Sequence, residues 1–237
     1  MSSDSAIPGT LMVTGTDTGV GKTLASCALL HALRAAGLRA GGMKPVASGA
    51  VHTHDGWRND DALALLAAGE PGLSYSDINP YALPEPTAPQ LAARAAGVTV
   101  AREALLAAHG QLRSRCDVVV IEGAGGWLAP LADGLEHADL ARALDVDAVV
   151  LVVGLRLGCL NHARLSARAI AADGMRLAGW IGSTLDPAFA DQPGYVELVR
   201  DALPAPCLGV LPHRPEPLAS EAAGHVRLPA DWRRLRG

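Results

Sequence analysis

The chain alternates between short, unbroken apolar runs and longer segments in which leucine and alanine recur near helical spacing. Thr10 to Thr14 is the first run; it ends in a glycine-rich turn and leads into KTLASCALLHALRAAG, with Leu24, Leu29, Leu30 and Leu33 near helical spacing. Gly37 stops that helix, and LRAGGMKPV predicts a short strand ending on Lys44 and Pro45. An Ala/Leu helix is expected from Asp60 to Gly69. From Pro71 to Pro89 the prolines recur too often for a regular element, so an irregular connection is expected, covering a site or a subunit contact. A helix over roughly Thr99 to Arg115 then runs into Asp117 to Glu122, whose Val118-Val119-Val120-Ile121 core predicts a strand buried on both faces. The same pattern returns as a strand over Ala148 to Val153, a helix from about Asn161 to Ala172, a strand over Leu177 to Ile181, a helix near Tyr195 to Ala202 and a strand over Cys207 to Leu211. Such alternation predicts an α/β fold: one domain over residues 1–237, a mostly parallel sheet with helices on both faces. The tail after Pro212, rich in Pro, Arg and Ala, carries no readable pattern.

Composition narrows the core and the partners. Hydrophobic residues make up 49% of the chain but aromatics only 3%, so the core is built from Ala, Leu and Val rather than from rings. The formal net charge of -4 argues against a general nucleic-acid surface or an anionic-membrane surface, since both need a broad positive field; phosphate binding has to be local. Cys27, Cys116, Cys159 and Cys207 are widely separated and form no C-x-x-C pair, so buried free thiols are expected rather than a zinc site or a disulfide framework. Met1 to Gly9 lacks the basic start and apolar stretch of a secretory signal, and no segment has the roughly 18 apolar residues of a membrane span, so a cytoplasmic location is expected.

Candidate chemistry begins at Gly15-Thr16-Asp17-Thr18-Gly19-Val20-Gly21-Lys22-Thr23, where a phosphate-binding loop of the P-loop NTPase kind belongs between strand and helix. The strict G-x-x-x-x-G-K-[ST] pattern would place its first glycine at position 16, which is Thr16 here. Small residues let successive N–H groups point at one phosphate, and the following helix presents its positive end to the same anion. Lys22 is placed to reach the β- and γ-phosphates and Thr23 to offer its hydroxyl to Mg²⁺. A nucleotide-bound Mg²⁺ takes one or two protein carboxylates, and Glu122, ending a buried strand ahead of Gly123-Ala124-Gly125-Gly126, is a fitting one. Asp60 and Asp61 open a helix, where acids are also favoured by the helix dipole alone.

With Lys44-Pro45-Val46-Ala47-Ser48-Gly49, Asn79-Pro80-Tyr81, Glu85-Pro86-Thr87, Glu122 to Trp127 and Leu157-Gly158-Cys159-Leu160-Asn161-His162, the chain resembles the dethiobiotin synthetase family over nearly its whole length. The resemblance implies a ligase of biotin biosynthesis in which 7,8-diaminononanoate and CO₂ (or bicarbonate) form a carbamate, ATP phosphorylates it, and the second amine closes the ureido ring. It implies that Lys44, with Lys22, is catalytic, that Ser48 and Thr18 lie by the diamine, and that Thr23, Asp61 and Glu122 hold Mg²⁺. Gly19, Val20, Gly21, Lys22, Thr23 and Leu24, and Glu122, Gly123, Ala124 and Gly125, match the nucleotide and phosphate contacts, with Asp61 among them. The resemblance further implies a homodimer with a shared active site, in which Cys159, Leu160, Asn161 and Tyr195 reach the substrate bound by the partner subunit.

This chain departs from the family at two places. Gly19 stands where members often carry Glu, and Ser183 and Thr184 stand where an Asn-Asp pair reads the adenine base. A pair of hydroxyls lacks a carboxylate's acceptor-only pattern, so weak base discrimination is expected; Pro212, His213 and Arg214 align with the other base-side loop. Two rival functions share the fold and loop. A regulatory ATPase switch of the division-site or plasmid-partitioning type carries an extra lysine early in the loop, where this chain has Asp17, and lacks a KPVASG-like segment. The synthetase domain of a glutamine-dependent amidotransferase needs a source of ammonia, and no glutaminase segment is expected within these 237 residues.

Overall fold

The computed structural model describes residues 9–213, 219–229 and 232. Its centre is a six-stranded sheet of β1 (Thr10–Gly15), β2 (Ala40–Met43), β3 (Val118–Gly126), β4 (Ala148–Leu155), β5 (Leu177–Thr184) and β6 (Cys207–Leu211). Every pairing is parallel and the spatial order is β6-β5-β4-β1-β3-β2. Parallel strands need helical crossovers, and these cover both faces. In β4 the alternation is explicit: Val150 and Val152 join the larger core cluster, while Leu151 and Val153 join a second cluster around Trp180.

The helices are α1 (Lys22–Ala35), α2 (Asp60–Ala68), α3 (Tyr75–Ile78), α4 (Pro89–Ala96), α5 (Arg102–Arg115), α6 (His137–Ala143), α7 (Cys159–Ala172), α8 (Gln192–Ala202) and a short α9 (Ala219–Ala222). None of the described helices is long and apolar enough to cross a membrane. Cys27, Cys116 and Cys159 are buried free thiols as expected, whereas Cys207 is only half-buried.

The segment from Pro71 to Pro89 departs from the expected irregular connection. Ser74 and Asp77 form a reciprocal capping box that starts α3, and Tyr81–Leu83 pairs in parallel with a short strand, Val46–Ser48. The prolines fall between these elements, and Pro89 begins α4, the one helical position where a missing N–H is harmless. Helix α4 and helix α6 go unread in the sequence pattern, as do the hairpins Val51–Thr53 with Gly56–Arg58 and Pro130–Ala132 with Leu135–Glu136. The helix expected from Thr99 starts at Arg102, and β3, β4 and β5 run past their expected ends, to Gly126, Leu155 and Thr184, because the ladders continue through mostly glycine and small residues.

Strand β1 lies between β3 and β4, so the chain leaves its carboxyl end at a point where the crossovers diverge to opposite sides. A crevice opens there in sheets of this kind, and ligands bind in it.

Candidate active site

Two loops meet at that crevice because the register of the sheet brings them together. Val13 pairs with Glu122 and Gly15 with Gly126, so the glycine loop after β1 and the turn ending β3 emerge side by side. Gly21 caps α1 with φ 85°, a left-handed conformation suited to glycine, and an added Cβ would sit 2.6 Å from the Ser183 hydroxyl. No side chain caps α1, so the N–H groups of its first turn open toward the cavity that Gly21, Lys22 and Thr23 line. Lys22 Nζ donates to the Asp17 carbonyl at 3.0 Å, and Asp17 pairs with Arg156 on the outer side of the loop. Burial, then the neighbouring charge of Lys44, lowers the Lys22 pKa.

Behind the loop lies a cluster of opposite charges. Lys44, just past β2, is 4% exposed, and its ammonium donates to Glu122 Oε1 at 2.6 Å and Asp61 Oδ2 at 2.9 Å. The Thr23 hydroxyl lies 2.7 Å from Asp61 Oδ1 and 3.0 Å from Glu122 Oε1. Burial alone would lower the Lys44 pKa, but the two carboxylates outweigh it and raise the value. Burial pushes the Asp61 pKa up, but Lys44 and the Thr23 hydroxyl hold it below its ordinary value. Beneath the cluster, burial and the same two carboxylates push the Cys27 thiol up to about 12, which keeps it protonated and unreactive.

A polar relay that the sequence pattern did not reveal sets the position of Lys44 and Asp61. Asn79, 4% exposed, donates from Nδ2 to the Lys44 carbonyl at 2.7 Å and the Tyr81 carbonyl at 3.1 Å. Its Oδ1 accepts from the Tyr75 hydroxyl, which in turn accepts the Asn59 N–H. Asn59 caps α2, the helix that carries Asp61, and donates to the Ser48 carbonyl. The Asn79-Pro80-Tyr81 motif supplied the signal; the chain of partners through Tyr75 and Asn59 becomes visible only in three dimensions.

The cavity holds about 760 Å³, within the range of small-molecule sites. The phosphate loop, Lys44, Asp61 and Glu122 form its charged side; Val46, Ser48, Pro86 to Pro89, Ala124, Gly125, Ala129 and Pro130 form the rest. Among the described residues no group of three or more His, Cys, Asp or Glu could hold a metal. Two carboxylates and a hydroxyl do converge, however, and Glu122 Oε2 is buried without a hydrogen bond from any described residue. Such a set of hard oxygens fits Mg²⁺, which keeps several waters and asks for only one or two carboxylates.

A profile of the AAA domain family matches residues 9–220. The chain is 56% identical to the ATP-dependent dethiobiotin synthetase BioD of Xanthomonas euvesicatoria pv. vesicatoria (strain 85-10), over 92% of this chain and 96% of that protein. It is 60% identical to the protein of the same name from Xylella fastidiosa (strain 9a5c), over 86% of this chain and 89% of that one. The chain belongs to the dethiobiotin synthetase family. Solved structures share the fold at much lower identity. The signal recognition particle receptor FtsY from Elizabethkingia anophelis, in complex with GDP, matches with TM-score 0.54 and 16% identity over 96% of this chain and 62% of that one. A chain of the MinC:MinD cell division protein complex of Aquifex aeolicus matches with TM-score 0.53 and 15% identity over 90% of this chain and 86% of that one. Membership of the synthetase family disfavours the regulatory-switch alternative, even though that class shares the sheet.

The residues that the family resemblance singles out divide by position. Thr18, Gly19, Gly21, Lys22 and Thr23 line the cavity with Lys44, Ser48, Asp61, Glu122, Ala124 and Gly125. Val20 is buried under the loop, with its side chain against Gly154, and Leu24 packs into the core; only their backbones are available to a ligand. Gly123 is buried behind the cavity wall, and the Ala124 N–H donates to His137 Nε2 at 3.0 Å. Ser183 lies against Gly21, and Thr184 accepts from Gln192 Nε2 at 2.9 Å, so both hydroxyls have neighbours other than a base. Pro212 is half-buried and His213 exposed, while Arg214 lies outside the described residues. Cys159, Leu160 and Asn161 open α7 and Tyr195 packs against Phe189; none of the four lines the cavity.

Proposed function

We propose that this chain is an ATP-dependent dethiobiotin synthase, joining 7,8-diaminononanoate and CO₂ through a carbamate and closing the ureido ring with release of ADP and phosphate. The observation that carries the reading is the Lys44 ammonium, buried between Asp61 and Glu122 beside the phosphate loop. A carbamate and a triphosphate repel each other, and bringing them together in a poorly solvated site requires fixed cations on both sides. Lys22 serves the β- and γ-phosphates, and Lys44 serves the carbamate oxygen and the transferring phosphoryl group. Neither ammonium has to reorganise much, because each is already held by hydrogen bonds to protein oxygens. Ser48 and Thr18, at the cavity margin, bind the diamine end of the substrate.

Thr23, Asp61 and Glu122 are the residues that hold Mg²⁺ in this reading, and the unpartnered Glu122 Oε2 supports it. When bound, the ion neutralises phosphate charge and orients the terminal phosphoryl group. The enzyme acts as a homodimer. Helix α7 begins at Gly158 with no side-chain cap, and Leu157 and Leu165 beside it are 78% and 57% exposed, which supports a subunit contact there. The Cys159 N–H donates to the Arg156 carbonyl, so in this reading Leu160 and Asn161 offer their N–H groups, with Cys159 beside them at the helix start, to the far carboxylate of the diamine held by the partner subunit, and Tyr195 adds to that contact.

The test is direct. Purified protein with ATP, Mg²⁺, the diamine and ¹³C-bicarbonate yields dethiobiotin one mass unit heavier, and phosphate release depends on both carbon substrates. Steady ATP hydrolysis indifferent to diamine and bicarbonate refutes the ligase and returns the chain to the regulatory class.

A further inference from the structure

One buried histidine stands immediately behind the cavity wall and touches it at two backbone groups. His137 is the first residue of α6 and is 0% exposed. Its Nε2 lies 3.0 Å from the Ala124 N–H, and its Nδ1 lies 2.8 Å from the Ala129 carbonyl. These partners fix the tautomer: a backbone N–H requires a bare acceptor at Nε2, and a carbonyl requires a proton at Nδ1. Burial is the main reason the imidazole stays neutral, with its pKa pushed down to about 4; Lys22 and Lys44 add to the effect.

Both bonded residues line the cavity. Ala124 and Ala129 flank the turn that starts at Glu122, and that turn approaches Thr18 of the phosphate loop at Gly125. The imidazole therefore spans the turn from the side away from the ligand. The fit is close: a Cβ on Gly123 would sit 2.7 Å from His137 Nε2, so only glycine allows the strand to pass this near the ring. The support is itself anchored. Glu136 and Asp139 form a capping box that fixes the start of α6, and the far shoulder of the turn is held by Trp127 Nε1, which donates to Asp173 at 2.7 Å.

We propose that His137 is a positioning residue for the ligase reaction, holding the Glu122-to-Ala129 turn at the width the reacting groups require. This rests on the ligase reading of the same site. His137 touches neither substrate nor nucleotide; it acts through the backbone of Ala124 and Ala129. A half-buried N–H left without its acceptor is unfavourable, so without Nε2 the Ala124 peptide turns to find another partner and carries Glu122 and Gly125 with it. A misplacement of about 1 Å at a reacting centre lowers rates by about 100-fold.

The two bonds can be separated by substitution in the full chain. Glutamine places an oxygen near the position of Nε2 and keeps the acceptor for Ala124; asparagine places an amide near Nδ1 and keeps only the donor to Ala129. Dethiobiotin formation, ATP affinity and thermal unfolding are measured for the parent, His137→Gln, His137→Asn and His137→Leu. The expected result is a kcat for His137→Gln within about threefold of the parent, and losses of about 10- to 100-fold for His137→Asn and His137→Leu. The Kd for ATP weakens by clearly less than kcat falls in the Asn and Leu variants, because the Gly19-to-Thr23 loop keeps its own hydrogen bonds while only the Glu122-to-Gly125 side moves. Equal kcat values for folded Gln and Asn variants overturn the proposal, as does a loss in ATP affinity as large as the loss in kcat. If His137→Leu fails to fold, the Gln and Asn pair still decides. A parent protein that makes no dethiobiotin overturns the ligase reading instead, which is a separate and visible failure.

Discussion

Replacing Lys44 by methionine removes one charge from the most tightly buried ion pair of the site while keeping most of the apolar stem. The Lys44 ammonium is 2.6 Å from Glu122 Oε1, and the Glu122 side chain is 0% exposed. Once the ammonium is gone, that buried carboxylate has lost its nearest counter-charge, and breaking a buried pair in this way costs about 3–5 kcal/mol. Asp61, with 42% of its side chain exposed, adds little because solvent replaces much of what Lys44 gave it. For a chain of this length each kcal/mol lowers Tm by about 2–4 °C, so Lys44→Met should unfold roughly 6–20 °C below the parent. The assay is urea and thermal unfolding at pH 7 with a chelator present, so that no divalent ion takes over the lost charge. Adding Glu122→Gln to Lys44→Met should recover about 2 kcal/mol or more, because the orphaned charge disappears with it. Adding Mg²⁺ to the Lys44→Met protein should recover part of the loss as well. A destabilisation below about 1 kcal/mol, with the double variant simply summing the singles, refutes the picture of an unsolvated Glu122 held by Lys44. In the ligase assay the same substitution should lower kcat far more than it weakens diamine binding, and an unchanged kcat removes Lys44 from the mechanism.

Three further outcomes follow from particular contacts. Because Ser183 sits close against Gly21 and Thr184 accepts from Gln192, neither offering a carboxylate, GTP and CTP should compete with ATP within about an order of magnitude, and strong ATP preference in that competition shows that other residues read the base. Asn79→Ala should cost about 1–3 kcal/mol in urea unfolding, since the Lys44 and Tyr81 carbonyls and the Tyr75 hydroxyl all lose their partner; a neutral result removes the relay. The third concerns acid. With a folded pKa near 4 against 6.5 unfolded, His137 lets only the unfolded chain bind a proton between those values, so stability falls as pH drops from 6.5 to 4, by about 3 kcal/mol. Above 6.5 the site contributes nothing to the pH dependence. His137→Gln should flatten this part of the profile, and parent and variant curves that stay parallel show that the folded imidazole takes up a proton.

The sheet was legible because its signal is local. Val118 to Ile121 and Ala148 to Val153 are unbroken apolar runs, and only strands buried on both faces need them. The phosphate loop was legible for a similar reason, since a glycine turn between strand and helix is a contiguous motif. The Pro71-to-Pro89 segment misled because prolines were read as excluding regular structure, whereas here they stand at its borders and Ser74 and Asp77 start a helix between them. Helices α4 and α6 escaped because seven or eight residues give too few turns for a period to show. His137 was invisible for a stronger reason. Nothing in Glu-His-Ala-Asp marks a histidine as structural or functional, and its meaning depends on Ala124 and Ala129, reached only when the chain folds back.

The division of the cavity explains how one sheet serves unrelated proteins. FtsY and MinD share the fold with this chain at 15–16% identity, and such likeness reaches the architecture alone. The side of the cavity formed by Gly21, Lys22 and Thr23 follows from β1 and α1 and asks only for an anion. The opposite side is built from pieces outside the main sheet. Ser48 lies on a short strand paired with Tyr81–Leu83, Pro86 to Pro89 lead into α4, and Ala129 and Pro130 approach the second small hairpin. Arg94 and Gln90 of α4 both bind Asp133 in that hairpin, so these two walls are tied to each other across the mouth of the site. Lys44, Asp61 and Glu122 sit where the two halves meet, at the ends of β2, at the start of α2 and within β3. In the proposed reading, a generic phosphate site becomes specific through short elements that add almost nothing to the sheet but line the far side of the cavity. That is also where substitutions such as those at His137 and Asn79 should separate rate from nucleotide affinity, since both residues support the specific half and leave the generic half untouched.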